Sequence, residues 1–473
     1  MRPIKFGTSG WRGILAEDFT LDNVRVVTQA IADFLRAEKS VEKGLIVGHD
    51  SRFMGEYFAR ETTRVLAGSG VPVFICKRDT PTPVIAYEIM RRSTAGAINF
   101  TASHNSYEYN GIKFSTAWGG SALPEVTAEI ERLANAMLGE VCYRDMPLDQ
   151  AVRAGLVKEI DPMPDYLVNL RTKIDLEAIG RSGMTVVFDP MYGAGRDYVD
   201  SLLVESGLLV QTINGARDPY FGGLPPDPSP THLNDLITRV RGDKRIVIGL
   251  ATDGDADRYG IIDADGAFIE PNYILALLYD YLLRRKGESG DAARSVATSH
   301  FIDAVAAHHG HAVHETPVGF KYIGEFIRDN EIVIGGDDSA GLSLRGHVPD
   351  KDGILACLLV AEMVAVEGKT VGQLLADLYS RVGVFHTSRK NLRLSMELAA
   401  KIDDKLALPP DRLAGKPIRD MVTTDGVKLI LEDGSWALFR KSGTEPVVRV
   451  YTEAGSREEL EVLTEAAVGF VES

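Results

Sequence analysis

Cysteine is scarce in this chain: three in 473 residues, Cys76, Cys142 and Cys357. They are widely spaced, odd in number and without metal-ligand spacing, which suits a reducing cytosol better than a disulfide framework. Long apolar runs are missing as well. No stretch reaches the ~20 apolar residues of a membrane span, and Met1 to Gly7 lacks the apolar run of a secretory signal, so the expected location is cytoplasmic, with no membrane partner. Positive charge is also short. Lys and Arg number 52 against 67 Asp and Glu, a net charge of −15, which argues against nucleic acid as a partner and requires any phosphate site to be locally basic. Low-complexity tracts are absent. What remains, 45% hydrophobic and 25% charged, can bury several cores, and at ~150 residues per domain the length suits three or four domains.

Apolar runs of strand length alternate with helical patterns over most of the chain, as in βαβ units. Strands are expected at 45–48, 71–76 and 96–100, with helices near 22–37, 54–68, 84–92 and 125–138. After a polar, turn-rich stretch near 140–160 the pattern restarts with strands at 184–188, 208–213 and 246–251, and again at 295–298, 312–315 and 331–334. The tail differs. Strands at 384–394 and 447–452, a hairpin over 427–439 turning at Glu432-Asp433-Gly434, and a helix near 457–470 read as a small α+β domain. Residues 218–230 carry five prolines and two glycines and read as an ordered loop. The expected fold class is α/β: three similar α/β domains plus a smaller C-terminal α+β domain, with boundaries at 1–147, 148–265, 266–383 and 384–473.

Four motifs carry possible chemistry. Thr101-Ala102-Ser103-His104-Asn105 follows the apolar strand at 96–100, and open α/β sheets place ligands at the carboxyl ends of their strands. A Ser-His hydrolase is disfavoured, because adjacent residues on an extended chain point apart and no nucleophile-elbow glycines surround Ser103. Asp253-Gly254-Asp255-Ala256-Asp257-Arg258 ends the strand at 246–251. Read as extended, it puts Asp253, Asp255 and Asp257 on one side, a triple carboxylate that repels itself unless a hard cation such as Mg²⁺ joins it. An EF-hand is excluded, since Arg258 stands where that loop needs glycine and Ala264 where it needs glutamate. Gly335-Gly336-Asp337-Asp338-Ser339-Ala340-Gly341 offers acceptors and donors suited to sugar hydroxyls. Arg440-Lys441-Ser442-Gly443-Thr444-Glu445-Pro446, with Arg449 beyond it, is an anion cradle of cations, hydroxyls and a glycine.

In this order and at these separations, the motifs resemble the α-D-phosphohexomutase family, which includes phosphoglucomutases and phosphomannomutases. Phe6 to Gly13 is similar to that family's N-terminal signature, and the likeness runs the whole chain. The resemblance implies mixed sheets and four domains around a central cleft, carrying in turn the phosphoserine, metal, sugar and phosphate loops. It implies that Ser103 carries a phosphoryl group and shares Mg²⁺ with Asp253, Asp255 and Asp257. It also implies that Arg12, Lys113, Arg258 and Lys321 neutralise charge at the reacting end, with Lys113, ahead of His104, the candidate for proton transfer. Asp337 and Ser339 would meet the sugar, while Arg440, Ser442, Gly443, Thr444 and Arg449 hold the second phosphate. The reaction implied interconverts hexose 1-phosphate and hexose 6-phosphate, most simply of glucose, through a hexose 1,6-bisphosphate that also serves as activator. The partner is a small phosphosugar, and the protein is a monomer or homodimer. Phosphomannomutase or dual-specificity activity is the alternative, and a phosphatase or a noncatalytic sensor ranks lower. Two departures stand out: Asp337 and Asp338 replace longer residues usual in the sugar loop, and Ser106 replaces the proline that often follows the phosphoserine motif.

Overall fold

The run Leu45–His49 is buried at every position, the pattern of a strand covered on both faces of a parallel sheet. In the computed structural model, which describes residues 2–140, 142–395, 402, 404–441 and 447–472, it lies parallel to Val73–Cys76 and Gly96–Phe100. Tyr109–Thr116 extends this sheet antiparallel to Gly96–Phe100, and the short strands Gly10–Ile14 and Phe6–Gly7 follow. Gly10 has φ +100°, and a Cβ there would lie 2.4 Å from the Ile112 carbonyl oxygen, so the N-terminal signature needs glycine to fold against the sheet. The helix Leu21–Ala37, capped by the Thr20 side chain accepting from Asn23 N–H, covers one face with Gly55–Gly68 and Pro124–Ala136.

The second sheet runs Phe268–Ile269, Tyr259–Asp263, Ile246–Thr252, Thr185–Asp189, Leu209–Thr212; the third runs Val313–Thr316, Asp291–Ser295, Ile332–Gly336, Leu342–Leu344. Both mix parallel and antiparallel pairs. The helix Gly353–Glu367 is buried over its first twelve residues, 353–364, and packs on strands of both sheets, so the second and third domains share one core. The C-terminal domain is an antiparallel sheet in the order His386–Arg393, Val447–Ala454, Trp436–Lys441, Val427–Leu431, Lys416–Val422, Arg412–Leu413, with the helix Arg457–Glu472 on one face. This is the four-domain α/β architecture expected. Among the described residues, no helix is long and apolar enough to cross a membrane.

Three local readings change. The strand expected at 295–298 lies at Asp291–Ser295. Its Ala-Ala-Arg sequence has no β-branched residue to announce it, but it is enclosed between two parallel strands, and burial overrides propensity. Residues 296–299 instead turn, with Thr298 N–H donating to the Ser295 carbonyl at 3.0 Å. The polar stretch near 140–160 contains the helix Leu148–Arg153 and the strand Val157–Ile160, which pairs with Val73–Cys76. Lys158 and Glu159 are exposed on that edge strand, hiding its periodicity; the first sheet therefore takes in chain beyond residue 147. The proline-rich loop contains a short 3₁₀ turn at Phe221–Gly223.

The C-terminal sheet seats on the third domain through buried polar groups. Glu453 accepts from Trp436 Nε1 at 2.7 Å, from His300 N–H at 3.2 Å and from the Ser299 hydroxyl. Lys428, fully buried, donates to the Val296 carbonyl at 3.0 Å and meets His300 Nε2 at 2.8 Å. Burial and the nearby Arg294 push the Lys428 ammonium from 10.5 down to about 8. The native state therefore binds this proton more weakly than the unfolded chain. The resulting destabilisation is complete below about pH 8 and is relieved as pH rises toward 10.5; at full size it is roughly 3 kcal/mol. Lys428→Met removes this contribution. Denaturation midpoints at pH 7.5 and 10 are expected to show wild type gaining on the variant at the higher pH, and a pH-independent difference would refute the assignment.

Candidate active site

Ser103 follows the strand Gly96–Phe100 on a loop held from inside by Arg52. This guanidinium is fully buried and donates to the carbonyls of Ser103 (2.7 Å), Asn105 (2.6 Å), Ser106 (2.7 Å) and Tyr109 (3.0 Å). Asp50 accepts from Arg52 Nε at 3.1 Å and from the Thr101 hydroxyl at 2.6 Å, while Thr101 Oγ1 accepts from Ser103 N–H at 2.8 Å. Ser106, in the position where proline is common, is thus fixed through its carbonyl. The aromatic ring of Phe221 lies under Arg52 at 4.9 Å, and Tyr220 meets Tyr107 at 5.4 Å, so the proline-rich loop backs the serine loop. Arg52→Lys retains a charge but loses the fork. It is expected to lower kcat/KM about a hundredfold by misplacing Ser103 and to cost about 3 kcal/mol of stability through unpaired buried groups. Steady-state kinetics beside thermal unfolding checks this, and an unchanged kcat/KM would contradict it.

Ser103 adopts φ +53°, not an extended conformation, which lets His104 Nδ1 approach its own neighbour's Oγ to 3.3 Å. The Ser103 hydroxyl donates to Asp253 Oδ2 at 2.7 Å. The loop bearing Asp253 also departs from the extended reading. It is a turn in which Ala256 N–H donates to the Asp253 carbonyl at 3.0 Å and Ala256 takes φ +56°. The turn, rather than strand alternation, brings ligand oxygens of Asp253, Asp255 and Asp257 within 4.8 Å of one another.

These three buried carboxylates fit a hard cation. Asp255 Oδ1 is buried with no hydrogen-bond partner among the described residues. Gly254 lets the two loops touch, since a Cβ there would lie 2.6 Å from the Ser103 carbonyl oxygen. Lysines surround the cluster: Lys113 Nζ donates to Asp255 and Asp257 at 2.6 Å each, and Lys351 Nζ to Asp257 at 3.0 Å. The Thr82 hydroxyl donates to Asp255 Oδ2 at 2.5 Å. Burial, then Asp255 and Asp257, hold the Asp253 carboxyl well above the usual range. Burial acts upward on Asp257 too, but Lys113, Lys351 and Arg258 outweigh it and hold that carboxylate far down. For Lys113, burial opposes the charge while Asp255 and Asp257 raise it above an ordinary lysine. Arg258, burial and Arg12 keep His104 well below an ordinary imidazole, hence neutral. Arg12, lowered to about 10 by burial and Arg258, donates to Asn105 Oδ1 at 2.6 Å. Arg258 Nε is buried without a hydrogen-bond partner among the described residues, a donor suited to an incoming anion.

The loop 337–341 lies beside Lys351, whose Cδ would be 2.5 Å from a Cβ at Gly341. Asp337 turns one oxygen inward, accepting from Ser339 N–H (3.0 Å), the Ser339 hydroxyl (2.8 Å) and Gly341 N–H (2.9 Å). The shorter acid thus braces its own loop through one oxygen. Asp425 ties the Lys321 segment to the C-terminal sheet, accepting from Val318 N–H at 3.0 Å and from Arg440 Nε at 2.9 Å. Lys321 itself is half-buried, with its ammonium 5.5 Å from the Tyr322 ring centre. Arg440 and Arg449 face each other across neighbouring strands. Ser442, Gly443 and Thr444 lie outside the described residues.

Family models match the chain in four successive parts. Described as phosphoglucomutase/phosphomannomutase alpha/beta/alpha domains I, II and III and C-terminal domain, they cover residues 3–138, 164–266, 270–382 and 390–469. The chain belongs to the phosphoglucomutase/phosphomannomutase family. The phosphoglucomutase/phosphomannomutase of Thermococcus kodakarensis is 31% identical, with 99% of this chain and 98% of that one covered. A Pyrococcus abyssi relative described as a phosphoglucosamine mutase is 32% identical, with 98% and 96% covered. A crystal structure from Thermus thermophilus, described as a phosphomannomutase, is 32% identical with a TM-score of 0.86 over 100% of both chains.

Within this phosphohexomutase site, sequence reasoning missed Arg52, Thr82, Lys351 and Asp425. Only Lys351 left a local trace: Asp352 caps the helix starting at Gly353 by accepting from Leu355 N–H, and Gly353 N–H donates to the Ala256 carbonyl at 3.1 Å, which delivers Lys351 to Asp257.

Proposed function

We propose that this phosphohexomutase moves a phosphoryl group between oxygens 1 and 6 of a hexose, glucose being the preferred sugar. Ser103 acts as carrier and a hexose 1,6-bisphosphate is the intermediate. The observation that carries this reading is the Ser103 hydroxyl at 2.7 Å from Asp253, inside a ring of Arg12, Lys113, Arg258 and Lys351. Phosphoryl transfer needs in-line positioning and neutralised oxygens more than covalent help. Asp253, Asp255 and Asp257, with the phosphorylated Ser103, would hold Mg²⁺, which supplies charge neutralisation at the transferring group.

In the forward direction phosphorylated Ser103 gives its phosphoryl to the free hydroxyl of a hexose 1-phosphate. The hydroxyl proton leaves as the new P–O bond forms and the Ser103 ester bond breaks. The bisphosphate then turns over and returns its other phosphoryl to Ser103, releasing hexose 6-phosphate. Beyond Asp253 at 2.7 Å, His104 Nδ1 lies 3.3 Å from the Ser103 oxygen, and Arg258 with burial keeps its imidazole uncharged, which leaves it able to accept the proton. Lys113, engaged by two carboxylates, suits charge neutralisation. Arg440 and Arg449 on the facing sheet take the phosphate that is not being transferred, with Ser442, Gly443 and Thr444 assigned there by resemblance. Asp337 and Ser339 meet the sugar, and Lys321 is assigned by resemblance to charge at the reacting end.

Glucose is favoured because residues 335–343 and 317–322 are similar to those of bacterial phosphoglucomutases. Glucosamine is the second reading, favoured by the name of the Pyrococcus abyssi relative. Paired assays of glucose, mannose and glucosamine 1-phosphates with Mg²⁺ and a trace of the matching 1,6-bisphosphate separate these. Glucose is expected to lead; faster glucosamine turnover would replace it, and inorganic phosphate released in step with substrate loss would mean a phosphatase.

A further inference from the structure

The face of the C-terminal sheet turned away from the helix Arg457–Glu472 can be read from its register. Directly opposed residues of an antiparallel pair share a face. Trp436 pairs with Glu453, Leu438 with Tyr451 and Arg440 with Arg449. On the outer strand Thr387 pairs with Glu453, Arg389 with Tyr451 and Asn391 with Arg449. One end of this face, Glu453 and Trp436, is buried against the third domain. The other end presents Arg440 and Arg449, already assigned to phosphate, and beside them a third arginine at the sheet edge, Arg389.

Arg389 is exposed but has two neighbours. Its guanidinium lies 5.5 Å from the Tyr451 ring centre, and its Nη1 is 3.6 Å from Asp338 Oδ2. Asp338 belongs to the loop 337–341 of the third domain and its side chain is 10% exposed, against 42% for Arg389. By register, Arg389 lies opposite Tyr451, and Arg449, two residues before Tyr451 on the same strand and face, lies opposite Arg440. A 3.6 Å separation is beyond a hydrogen bond. Asp338 orients the guanidinium at a distance and leaves its donors for a ligand. This also gives the second acid of the loop a task apart from Asp337, whose inward oxygen closes the loop turn.

Resting on the mutase reading above, we propose that Arg389 is a third guanidinium for the nontransferring phosphate of the sugar substrate, and that Asp338 is its positioning residue. A doubly charged phosphate has more acceptor oxygens than one arginine can fill, and charge-assisted bonds to it are the strong kind. The pair crosses from the sugar loop to the C-terminal domain, so phosphate binding at one end is felt at the loop that meets the sugar.

The test measures glucose 6-phosphate binding by calorimetry and kcat/KM on glucose 1-phosphate for Arg389→Ala, Arg389→Lys, Asp338→Asn and the Arg389→Ala/Asp338→Asn double variant. Arg389→Ala is expected to weaken binding and lower kcat/KM about ten- to a hundredfold, with Arg389→Lys recovering part of the loss. Asp338→Asn is expected to cost about threefold alone and nothing further when Arg389 is already alanine, the non-additivity of residues acting as a unit. An unchanged affinity in Arg389→Ala, or a lowered melting temperature with unchanged affinity, would overturn the proposal. So would an Asp338→Asn loss of equal size in both backgrounds. If wild type binds glucose 6-phosphate but turns nothing over, the mutase reading fails while the calorimetry still decides on Arg389. If it binds no hexose phosphate, both fail.

Discussion

Ser103→Ala is expected to lower turnover by about four orders of magnitude or more, because the Ser103 hydroxyl meets the carboxylate cluster at Asp253 whereas the neighbouring Thr101 hydroxyl is turned to Asp50. The Ser103 side chain donates to Asp253, which also accepts from Arg258 N–H at 3.0 Å, so its loss leaves that carboxylate partly satisfied and costs about 1–2 kcal/mol of stability. Arg52 still grips the loop carbonyls, and the fold persists. Two measurements decide: formation of hexose 6-phosphate in a coupled assay, and transfer of a labelled phosphoryl group from hexose 1,6-bisphosphate to the protein. Label on the alanine variant, or activity within tenfold of wild type, would remove Ser103 as carrier.

Chelation of divalent cations is expected to depress turnover by roughly two orders of magnitude, with recovery on adding Mg²⁺. Three carboxylates with ligand oxygens within 4.8 Å are balanced by Lys113 and Lys351. Cation binding should raise the melting temperature of wild type, as any ligand of the native state does. Asp255→Asn should weaken that response about tenfold or more in Mg²⁺ concentration, while the serine loop keeps its Arg52 scaffold. Full activity after exhaustive chelation, or an identical Mg²⁺ response in Asp255→Asn, would show that the cluster serves the lysines alone.

What the sequence revealed divides by range. The Ser103 and Asp253 motifs are contiguous, each ends an apolar strand, and both could be read locally. Their geometry could not: the sequence suggests extended chain in both loops, whereas left-handed residues at Ser103 and Ala256 aim the side chains. Arg52 acts on carbonyls 51 to 57 residues away, Thr82 on a carboxylate 173 residues away, and Asp425 on a backbone amide 107 residues back. Nothing in their neighbours announces this, because only tertiary packing brings them together. The same holds for the strand Asp291–Ser295, whose composition gives little strand signal but whose neighbours leave it no other conformation. The fold class was legible because it rests on alternation over long stretches, which averages out such local exceptions.

The buried seat of Glu453, Trp436 and Lys428 has a mechanical consequence. Arg449 lies four residue steps along the strand from Glu453, a lever arm of roughly 13 Å at the usual rise per residue. With one end of the sheet face fixed in the third domain, a tilt of about 10° carries the arginine end about 2 Å, comparable with the difference between a made and a broken hydrogen bond. On the proposed reading, a phosphate held by Arg440 and Arg449 would be gripped and released without exposing the anchored end to water, so the grip would vary while the seat remains closed.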